Sequence, residues 1–450
     1  MLCFFLLVLA CCNSAAANFE SFRERAAGIR DDIISWRREL HQWPELNYQE
    51  FNTSRFVQRT LRQIGLNFST GWGINTRQDR IPGIGGTGIV VDLGTGGPPI
   101  VALRGDLDGL PISERTPVSF KSVRDGMMHA CGHDGHTSML LGAAKLLSAQ
   151  ASTLPGTVRL IFQPAEEGGA GAARMVEEGV LSGVSRVFGF HLWPALPSGT
   201  VGGRSGCIMG GEEDFELIIV GRGAHGAMPH QGVDPIVAAA AVVQSLQALV
   251  SRETDPLGSA VVSVTIFQAG DAFNVIPDQA RLGGTIRAVT VESLEMLKAR
   301  FTEVVTIVAN AHLCSVKDLL FSPDLYPPVM NDPPLWDWIQ SPEVGIVSSD
   351  GVTFQPNLPT IMTSEDFSFF SVKVPSAFML LGIGTGSDVT EQGYPTNASL
   401  HNPGFNIDEE VLPLGAALHA HLATQSLHAL QSAAERKNGQ PSQTILESEL

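Results

Sequence analysis

The sequence predicts an α/β protein with a largely parallel sheet, helices on its faces and a smaller α+β domain inserted into the chain. Three observations lead to this prediction. Short apolar runs that end in polar residues alternate with helical patterns up to residue 211, this pattern changes over 212–322, and it returns in 323–432. Unbroken apolar runs of this kind are typical of strands in the interior of a parallel sheet.

The N-terminus reads MLCFFLLVLACCNSAAANFE. Its apolar run, residues 2–12, is too short to cross a bilayer as a helix. Three alanines at 15–17 supply the small-residue pattern of a cleavage site, so we expect a secretory signal peptide over 1–17, although no Lys or Arg precedes the apolar run. A short membrane anchor is the alternative.

The next segment, 18–211, begins with two helical patterns, at 19–40 and about 48–64. Three apolar runs follow, each with a polar end: IVALR before Gly-Asp-Leu-Asp, TVRLIFQ before Pro-Ala-Glu-Glu, and RVFGF before His191. Sites in open α/β sheets lie beyond the carboxyl ends of the strands. We therefore expect the functional site where these runs end.

The middle segment, 212–322, has the order β-α-β-β-α-β. Its strands are DFELIIVGRG and the segments 259–268, 280–289 and 315–321, and its helices are 235–250 and 291–311. This order is the ferredoxin-like plan. The α/β pattern then resumes in 323–432 and closes with a helix that begins near residue 408.

The last segment, 433–450, is polar and predicts a flexible tail. It ends in Glu-Ser-Glu-Leu, which shares only two letters with the Lys-Asp-Glu-Leu retention signal. With the predicted signal peptide, this favours the ER lumen or secretion. Asn52 and Asn67 stand in glycosylation sequons and are the expected acceptors. A third sequon, at Asn397, lies so close to His401 that we expect it to stay unmodified.

Composition excludes some partners. The chain of 450 residues has a formal net charge of −17 and only 7% aromatic residues. It shows no basic stripe, so a nucleic-acid partner is not expected. Like the N-terminal run, every other segment falls short of the roughly 18 uninterrupted apolar residues of a membrane span. We expect no stable membrane association once the signal is removed.

The chemistry of the predicted site rests on residues that bind metals. They lie in the stretch HACGHDGH, in the Glu-Glu pair after the second apolar run, after the third run, and before the last helix: Cys131, His133, Glu166, Glu167, His191 and His401. Thiolate, imidazole and carboxylate are the usual ligands of zinc and related ions. They exceed what one catalytic zinc takes and suit two ions about 3.5–4 Å apart.

Other interpretations stay open at this point. Cys131 could attack an acyl carbon with a histidine as its base, or the cluster could hold a structural metal in a binding module. Each residue alone is weak evidence. For example, Glu166 and Glu167 before two glycines could form a solvated turn. As a pair, the two glutamates could have different functions, with one binding metal and the other holding a proton.

The sequence resembles the M20 metallopeptidases, and within them the amidohydrolase branch with the plant IAA-amino acid hydrolases of the ILR1-like group. The matching stretches span about residues 25–428 and include RRELHQWPELNYQE, ALRGDLDGLPI, MHACGHDGHTSMLLGAAKLL, IFQPAEEGGAGA, GFHLWP, GRGAHGAMPH, NVIPD, GTIRA, TSEDFSFF and LHNPGF.

The resemblance implies a role for each candidate. The implied metal ligands are Cys131, His133, Glu167, His191 and His401. Glu166 would be the general base, Asp108 would orient a ligand, and His129, Asp134 and His136 would shape the loop without binding metal. The inserted domain would be a lid, with His225 stabilising the tetrahedral oxyanion while Asn274 and Arg287 hold the substrate.

The expected protein is thus an amidohydrolase with two divalent cations, Mn²⁺ being favoured and Zn²⁺ or Co²⁺ the alternatives. Its substrate would be a small acyl-amino acid, in first place an indole-3-acetyl-amino acid, hydrolysed to free auxin and the amino acid. A homodimer is left open. The rival expectations are an acyl hydrolase with Cys131 as nucleophile and a conjugate-binding protein without catalysis.

Overall fold

The computed structural model describes residues 16–347, 349, 351–384, 395–396 and 398–438. The predicted signal peptide, apart from its last two residues, lies outside the described residues. So do Asn397 of the third sequon and everything after residue 438. The chain divides into two compact units: unit 1, formed by Met1–Ser205, Asn331–Leu358 and Lys373–Leu450, and unit 2, formed by Gly206–Met330 and Pro359–Val372.

The helices are α1 (16–27), α2 (Arg30–Gln42), α3 (Phe51–Ile64), α4 (His133–Ser148), α5 (Gly171–Glu177), α6 (Pro235–Ala248), α7 (Val291–Ala311), α8 (Pro333–Gln340), α9 (Ser368–Ser371) and α10 (Leu412–Asn438). The strands are β1 (Ser69–Ile74), β2 (Gly85–Gly94), β3 (Ile100–Asp106), β4 (Thr157–Gln163), β5 (Val184–Trp193), β6 (Thr200–Gly202), β7 (Gly206–Met209), β8 (Gly211–Val220), β9 (Ala224–His225), β10 (Ala260–Gln268), β11 (Val275–Ile276), β12 (Gln279–Ala288), β13 (Ser315–Phe321), β14 (Val329–Asn331), β15 (Thr353–Gln355) and β16 (Ser376–Gly382).

Unit 1 is built on an eight-stranded sheet with the order β1-β2-β4-β3-β5-β16-β6-β15. The central strands β4, β3, β5 and β16 run parallel, and β1 and β2 pair antiparallel with their neighbours. Strand β6 pairs antiparallel with β16 and parallel with β15. Every residue of β3 and β16 is buried, as expected for strands covered on both faces. The predicted α/β fold with a mostly parallel sheet is confirmed.

Helices α4 and α10 of unit 1 pack together closely. A Cβ on Gly142 of α4 would lie 2.7 Å from the Cβ of Ala416 in α10. Small residues at this contact let the two helix backbones approach each other. The contact holds α4 in place, and the first residue of α4 is the predicted ligand His133.

Two predicted boundaries in unit 1 need correction. The helical pattern over 19–40 forms two helices, because a turn at Gly28 and Ile29 separates α1 from α2. At the other end, α10 continues to Asn438. The predicted start of the tail, at residue 433, is therefore too early.

Unit 2 contains a four-stranded antiparallel sheet with the order β10-β12-β8-β13. Helices α6 and α7 bury one face each in a core with the sheet, through residues such as Val242, Leu246 and Phe301. The chain order β8-α6-β10-β12-α7-β13 gives the ferredoxin-like plan. Unit 2 is larger than the predicted 212–322 segment, since it begins at Gly206 and also includes Pro359–Val372.

Among the described residues, Pro235–Glu253 is the one helical segment long and apolar enough, by length and composition, to cross a membrane. Ala238, Val242 and Leu246 on this segment are fully buried in the core of unit 2. A helix in the core of a globular domain meets the same two criteria, so length and composition alone do not indicate a membrane span.

Candidate metal centre

The carboxyl ends of three neighbouring strands bring together most of the predicted site. Strands β4, β3 and β5 are adjacent and parallel. Strand β3 ends at Asp106, two residues before Asp108, strand β4 is followed by Glu166 and Glu167, and β5 carries His191 near its end. Because the ends of parallel strands share one edge of the sheet, these side chains converge.

Cys131 and His133 flank the turn that begins α4. Gly132 between them has a φ of 97°, a left-handed conformation that glycine adopts without steric cost. The Sγ atom of Cys131 lies 3.5 Å from Nε2 of His191. The Nε2 atom of His133 lies 3.9 Å from Oε2 of Glu166. The turn thus brings both side chains of the Cys-x-His motif to the strand ends.

His401 reaches the same place from a distant part of the sequence. Its backbone has a φ of 60°, which is uncommon outside glycine and typical of functional sites. Its amide donates a hydrogen bond to the carbonyl of Ala130 at 2.8 Å. Its Nε2 atom lies 3.1 Å from Oε1 of Glu167, and about half of the side chain is exposed. His401 therefore stands on the solvent side of the cluster.

Hydrogen bonds fix the orientation of the two buried histidines. Nδ1 of His133 donates to the backbone carbonyl of Asp108 at 2.9 Å. Nδ1 of His191 donates to the carbonyl of Leu192 at 2.8 Å. A carbonyl only accepts, so the proton of each neutral ring sits on Nδ1 and Nε2 presents a lone pair. Both Nε2 atoms face the other side chains of the cluster.

The Asp108 carboxylate holds the Glu-Glu pair. Its Oδ1 accepts the amide of Glu166 and its Oδ2 accepts the amide of Glu167, both at 3.0 Å. Asp108 is almost fully buried, so these two charge-assisted hydrogen bonds are protected from water. With its main chain on His133 and its side chain on the glutamates, Asp108 orients three of the predicted site residues.

The electrostatic field of the cluster attracts positive charge. Burial by itself lowers the pKa of His133, but the carboxylates of Asp106, Asp108 and Glu167 outweigh it and raise that pKa to about 10. Burial lowers the pKa of His191 well below its usual value, so this ring is neutral. Nε2 of His133 is buried and lacks a hydrogen-bond partner within the described part of the chain.

The donors fit two divalent cations. Nitrogen, sulfur and carboxylate ligands meet here in a negative, buried setting, and the orphaned Nε2 of His133 needs a partner that accepts its lone pair. Three overlapping groups have ligand atoms within 4.8 Å of one another: Cys131, His133 and His191; Cys131, Glu167 and His401; and His133, Glu166 and Glu167. The groups contain all five predicted ligands.

His136 is close to the cluster but makes other contacts. The amide of Leu192 donates to Nε2 of His136 at 2.9 Å, and Nδ1 of His136 donates to Oδ1 of Asp106 at 2.7 Å. Both ring nitrogens are thereby used. Although His136 lies within ligand distance of Asp106 and His133, it serves to hold the end of β3 against the end of β5.

Asp134 and His129 also stand outside the donor groups. Asp134 forms buried ion pairs with Arg37 and His41, both at 2.8 Å. The ring of His129 is buried and faces that of His41 with 6.4 Å between the centroids. These contacts tie α2 to the loop that carries Cys131.

The three predicted substrate residues lie in unit 2. His225 and Asn274 are neighbours, because β9 pairs with β11 and the amide of Gly226 donates to the Asn274 carbonyl at 2.7 Å. Nδ1 of His225 accepts the amide of Ala227 at 3.1 Å. Its Nε2 therefore carries the proton of the neutral ring and can donate it.

Arg287, on β12, is engaged within unit 2. Its guanidinium forms an ion pair with Glu212 and donates to the carbonyl of Met362 at 2.9 Å. A substrate carboxylate that binds Arg287 would compete with Glu212 for it.

The sequence reasoning missed two buried carboxylates. Asp106 bridges Arg104, at 2.8 Å, and His136. Its signal was available, since it is the first aspartate of the Asp-x-Asp motif at the end of a strand. Glu50 contacts the loop that carries Glu166, because its side-chain Oε1 accepts the amide of Ala165. No local pattern in the sequence indicates that contact.

The fold and the donor set define a class of protein: a metal-dependent hydrolase with an α/β fold and a site equipped for a pair of metal ions. Residues 102–425 match Peptidase family M20/M25/M40, and the chain belongs to this family. The predicted membership is confirmed, and the chain is a hydrolase that acts on amide bonds.

Two plant relatives and one solved structure illustrate the similarity. The chain is 42% identical over 404 residues to the Arabidopsis thaliana IAA-amino acid hydrolase ILR1-like 5, which covers 88% of each chain. It is 44% identical over 401 residues to ILR1-like 2 of the same plant, covering 89% of this chain and 86% of the relative. The crystal structure of the Bacillus subtilis YXEP protein, a dinuclear metal binding peptidase from the M20 family, matches with a TM-score of 0.72 and 33% identity over 89% of this chain and 99% of that one.

Replacing the thiol tests the metal interpretation of Cys131. We expect Cys131→Ser to bind metal at least about tenfold more weakly, because a serine hydroxyl is a poor substitute for a thiolate ligand. Elemental analysis and metal titration measure this, with circular dichroism to verify folding. Cys314→Ser is the matched control, since Cys314 is also a buried cysteine that is not in a disulfide but lies in unit 2. Full metal content in Cys131→Ser, with activity lost, would instead favour the thiol nucleophile.

Proposed function

We propose that this protein is a metal-dependent amidohydrolase that cleaves the amide bond of N-acyl amino acids, with indole-3-acetyl-amino acids as its main substrates. The observation that carries the proposal is the position of Glu166: its carboxylate lies within 4.8 Å of ligand atoms of His133 and Glu167, and its amide is held by Asp108. The identity of 42% and 44% to two plant hydrolases of such conjugates supports the choice of substrate.

We assign metal binding to Cys131, His133, Glu167, His191 and His401, and proton transfer to Glu166. Two cations bound there supply Lewis acidity toward the amide carbonyl and acidify the attacking water. Glu166 takes the proton from that water and passes it to the amide nitrogen as the carbon–nitrogen bond breaks. The products are the free acid and the amino acid.

The residues of unit 2 would act on the substrate. His225 can donate from Nε2, because its Nδ1 accepts the amide of Ala227, and we assign it to the oxyanion that forms during attack. Asn274 is exposed beside His225 and would hold the conjugate. We assign Arg287 to the amino-acid carboxylate, for which it would exchange its contact with Glu212.

The thiol-nucleophile alternative has one supporting contact, the 3.5 Å between Cys131 and Nε2 of His191. A Cys–His hydrolase needs one base and one orienting group, whereas here Glu167 and His401 also converge on Cys131. This alternative is not favoured. A conjugate-binding protein without catalysis is not favoured either, because the proposed base, Glu166, is retained.

For the metal we propose Mn²⁺, with Zn²⁺ or Co²⁺ as substitutes. The carboxylate ligands tolerate Mn²⁺, whereas the thiolate favours softer ions such as zinc. The similarity to the plant hydrolases is the reason for choosing Mn²⁺.

The experiment is a hydrolysis assay on the full chain, stripped of metal and reloaded in turn with Mn²⁺, Zn²⁺ and Co²⁺. The substrate panel combines indole-acetyl, jasmonoyl and benzoyl groups with several amino acids. We expect the highest kcat/KM for an indole-acetyl conjugate with Mn²⁺, and loss of activity on chelation. Equal activity before and after chelation would contradict a metal-dependent reaction, and a preference for another acyl group would contradict the proposed substrate.

Glu166→Gln is the matched variant in this assay. It should fold, bind metal and lose about 10²–10⁴-fold in kcat, because the amide cannot accept the proton. Wild-type turnover by this variant would rule out the assigned role of Glu166.

We also propose that the protein enters the secretory pathway, on the strength of its N-terminal apolar run. In that case Asn67 is the better acceptor for a glycan: it is exposed in the turn after α3, whereas the side-chain amide of Asn52 donates to the buried Glu45 at 2.6 Å. Expressed in secreting eukaryotic cells, Asn67→Gln should lose a glycosidase-sensitive mobility shift that Asn52→Gln keeps. A wild-type chain without glycan, found in the cytosol, would contradict the proposal.

A further inference from the structure

The loop between β4 and α5 carries both glutamates of the site and has an unusual backbone. Ala165, directly before Glu166, has a φ of 55°, and Ala170 has a φ of 52°. Residues other than glycine rarely adopt this conformation, and it persists where the surroundings fix it. The directions of the two glutamate side chains therefore depend on what holds this loop.

Three consecutive amides of the loop point at two buried carboxylates. The amides of Glu166 and Glu167 donate to Asp108, as described above. The preceding amide, of Ala165, donates to Oε1 of Glu50 at 2.9 Å. Asp108 accepts two of these successive amides and Glu50 accepts the third, so the two side chains together hold this stretch of the loop.

Glu50 is itself held rigidly. It is fully buried, and its Oε1 also accepts the amide of Tyr48 at 2.8 Å. Its Oε2 shares a hydrogen bond with the hydroxyl of Thr87 at 2.7 Å. Burial and the nearby charge of Asp108 raise the pKa of Glu50 to about 8, which favours the neutral carboxyl near pH 7. A glutamine can then replace it with little electrostatic change.

The same segment of chain contacts the loop from a second side. The side-chain amide of Asn47 donates to the carbonyl of Glu167 at 2.9 Å. The hydroxyl of Tyr48 donates to the carbonyl of Gly169 at 2.5 Å. The segment that precedes α3 thus holds the glutamate loop at both its amides and its carbonyls.

We propose that Glu50 is a positioning residue for the metal centre: by fixing the amide of Ala165, it sets the directions in which Glu166 and Glu167 leave the loop. It touches neither metal nor substrate and acts through the loop. This inference deepens the proposed function and rests on it for its effect on turnover, whereas its effect on metal binding is independent of the substrate.

The test compares Glu50→Ala, Glu50→Gln and Thr87→Val in the full chain. Titration with Mn²⁺ and, in parallel, Zn²⁺ measures affinity, and steady-state kinetics on the best conjugate measures kcat and KM. We expect Glu50→Ala to lose about 10–100-fold in metal affinity and in kcat, with KM little changed. Glu50→Gln should restore both to within about threefold of wild type, because its amide oxygen can accept the same amide.

Thr87→Val is the matched control. It removes the hydrogen bond to Oε2 of Glu50 but leaves the contact with Ala165, so melting temperature should fall while metal affinity and kcat stay near wild type. Two results would show that Glu50 only stabilises the fold and would overturn the inference. In the first, Glu50→Ala and Thr87→Val reduce metal affinity and kcat equally. In the second, Glu50→Ala lowers the melting temperature but leaves metal affinity and kcat at wild-type values. Failure of Glu50→Gln to restore affinity would also overturn it.

If Glu50→Ala does not fold, Glu50→Asp decides, since it withdraws the carboxyl from Ala165 by one methylene group. Wild-type metal affinity in that variant overturns the inference. A wild-type protein that binds metal but hydrolyses no conjugate refutes the proposed function alone, and the affinities still judge Glu50. Binding of neither ion by the wild type refutes the metal centre and this inference together.

Discussion

The metal centre depends on the contacts of one buried aspartate. Asp108 follows β3, yet its carboxylate holds the loop after β4 and its carbonyl holds His133 at the start of α4. Three separate elements of the sheet and its helices are therefore fixed relative to one another by a single residue. Two carboxylate oxygens accept two successive amides, so both glutamates are held with their side chains beside His133.

The buried histidines near Asp108 differ sharply in their affinity for protons. Carboxylates surround His133 closely enough to raise its pKa in spite of burial, whereas burial lowers the pKa of His191 well below its usual value. Neighbouring imidazoles with such different affinities for protons indicate a strongly uneven field, which is typical of functional sites. Farther out, Arg37 balances Asp134, so the loop next to Cys131 is stabilised by ion pairs and does not add to the demand for cations.

The α/β fold and the elements that bear Cys131, Glu166, Glu167 and His191 could be predicted, because strand patterns and strand-end chemistry are local properties of the sequence. The sequence could not indicate that the side chain of Glu50 accepts the amide of Ala165, 115 residues away. Nor could it indicate that Pro359–Val372 joins unit 2. Such contacts depend on tertiary packing and on left-handed backbone conformations, and neither leaves a periodic pattern.

The position of His401 has a consequence for the order of assembly. Its amide donates to the carbonyl of Ala130 and its ring contacts Glu167. The whole of unit 2 lies between these two residues and His401 in the chain. During synthesis the N-terminal elements emerge and fold first. Cys131, His133, Glu167 and His191 are therefore made well before His401, but α4, which begins at His133, still lacks its contact with α10 at that stage. A newly made chain has the complete set of donors only when its last segment has joined unit 1, so full metal affinity is expected late in folding.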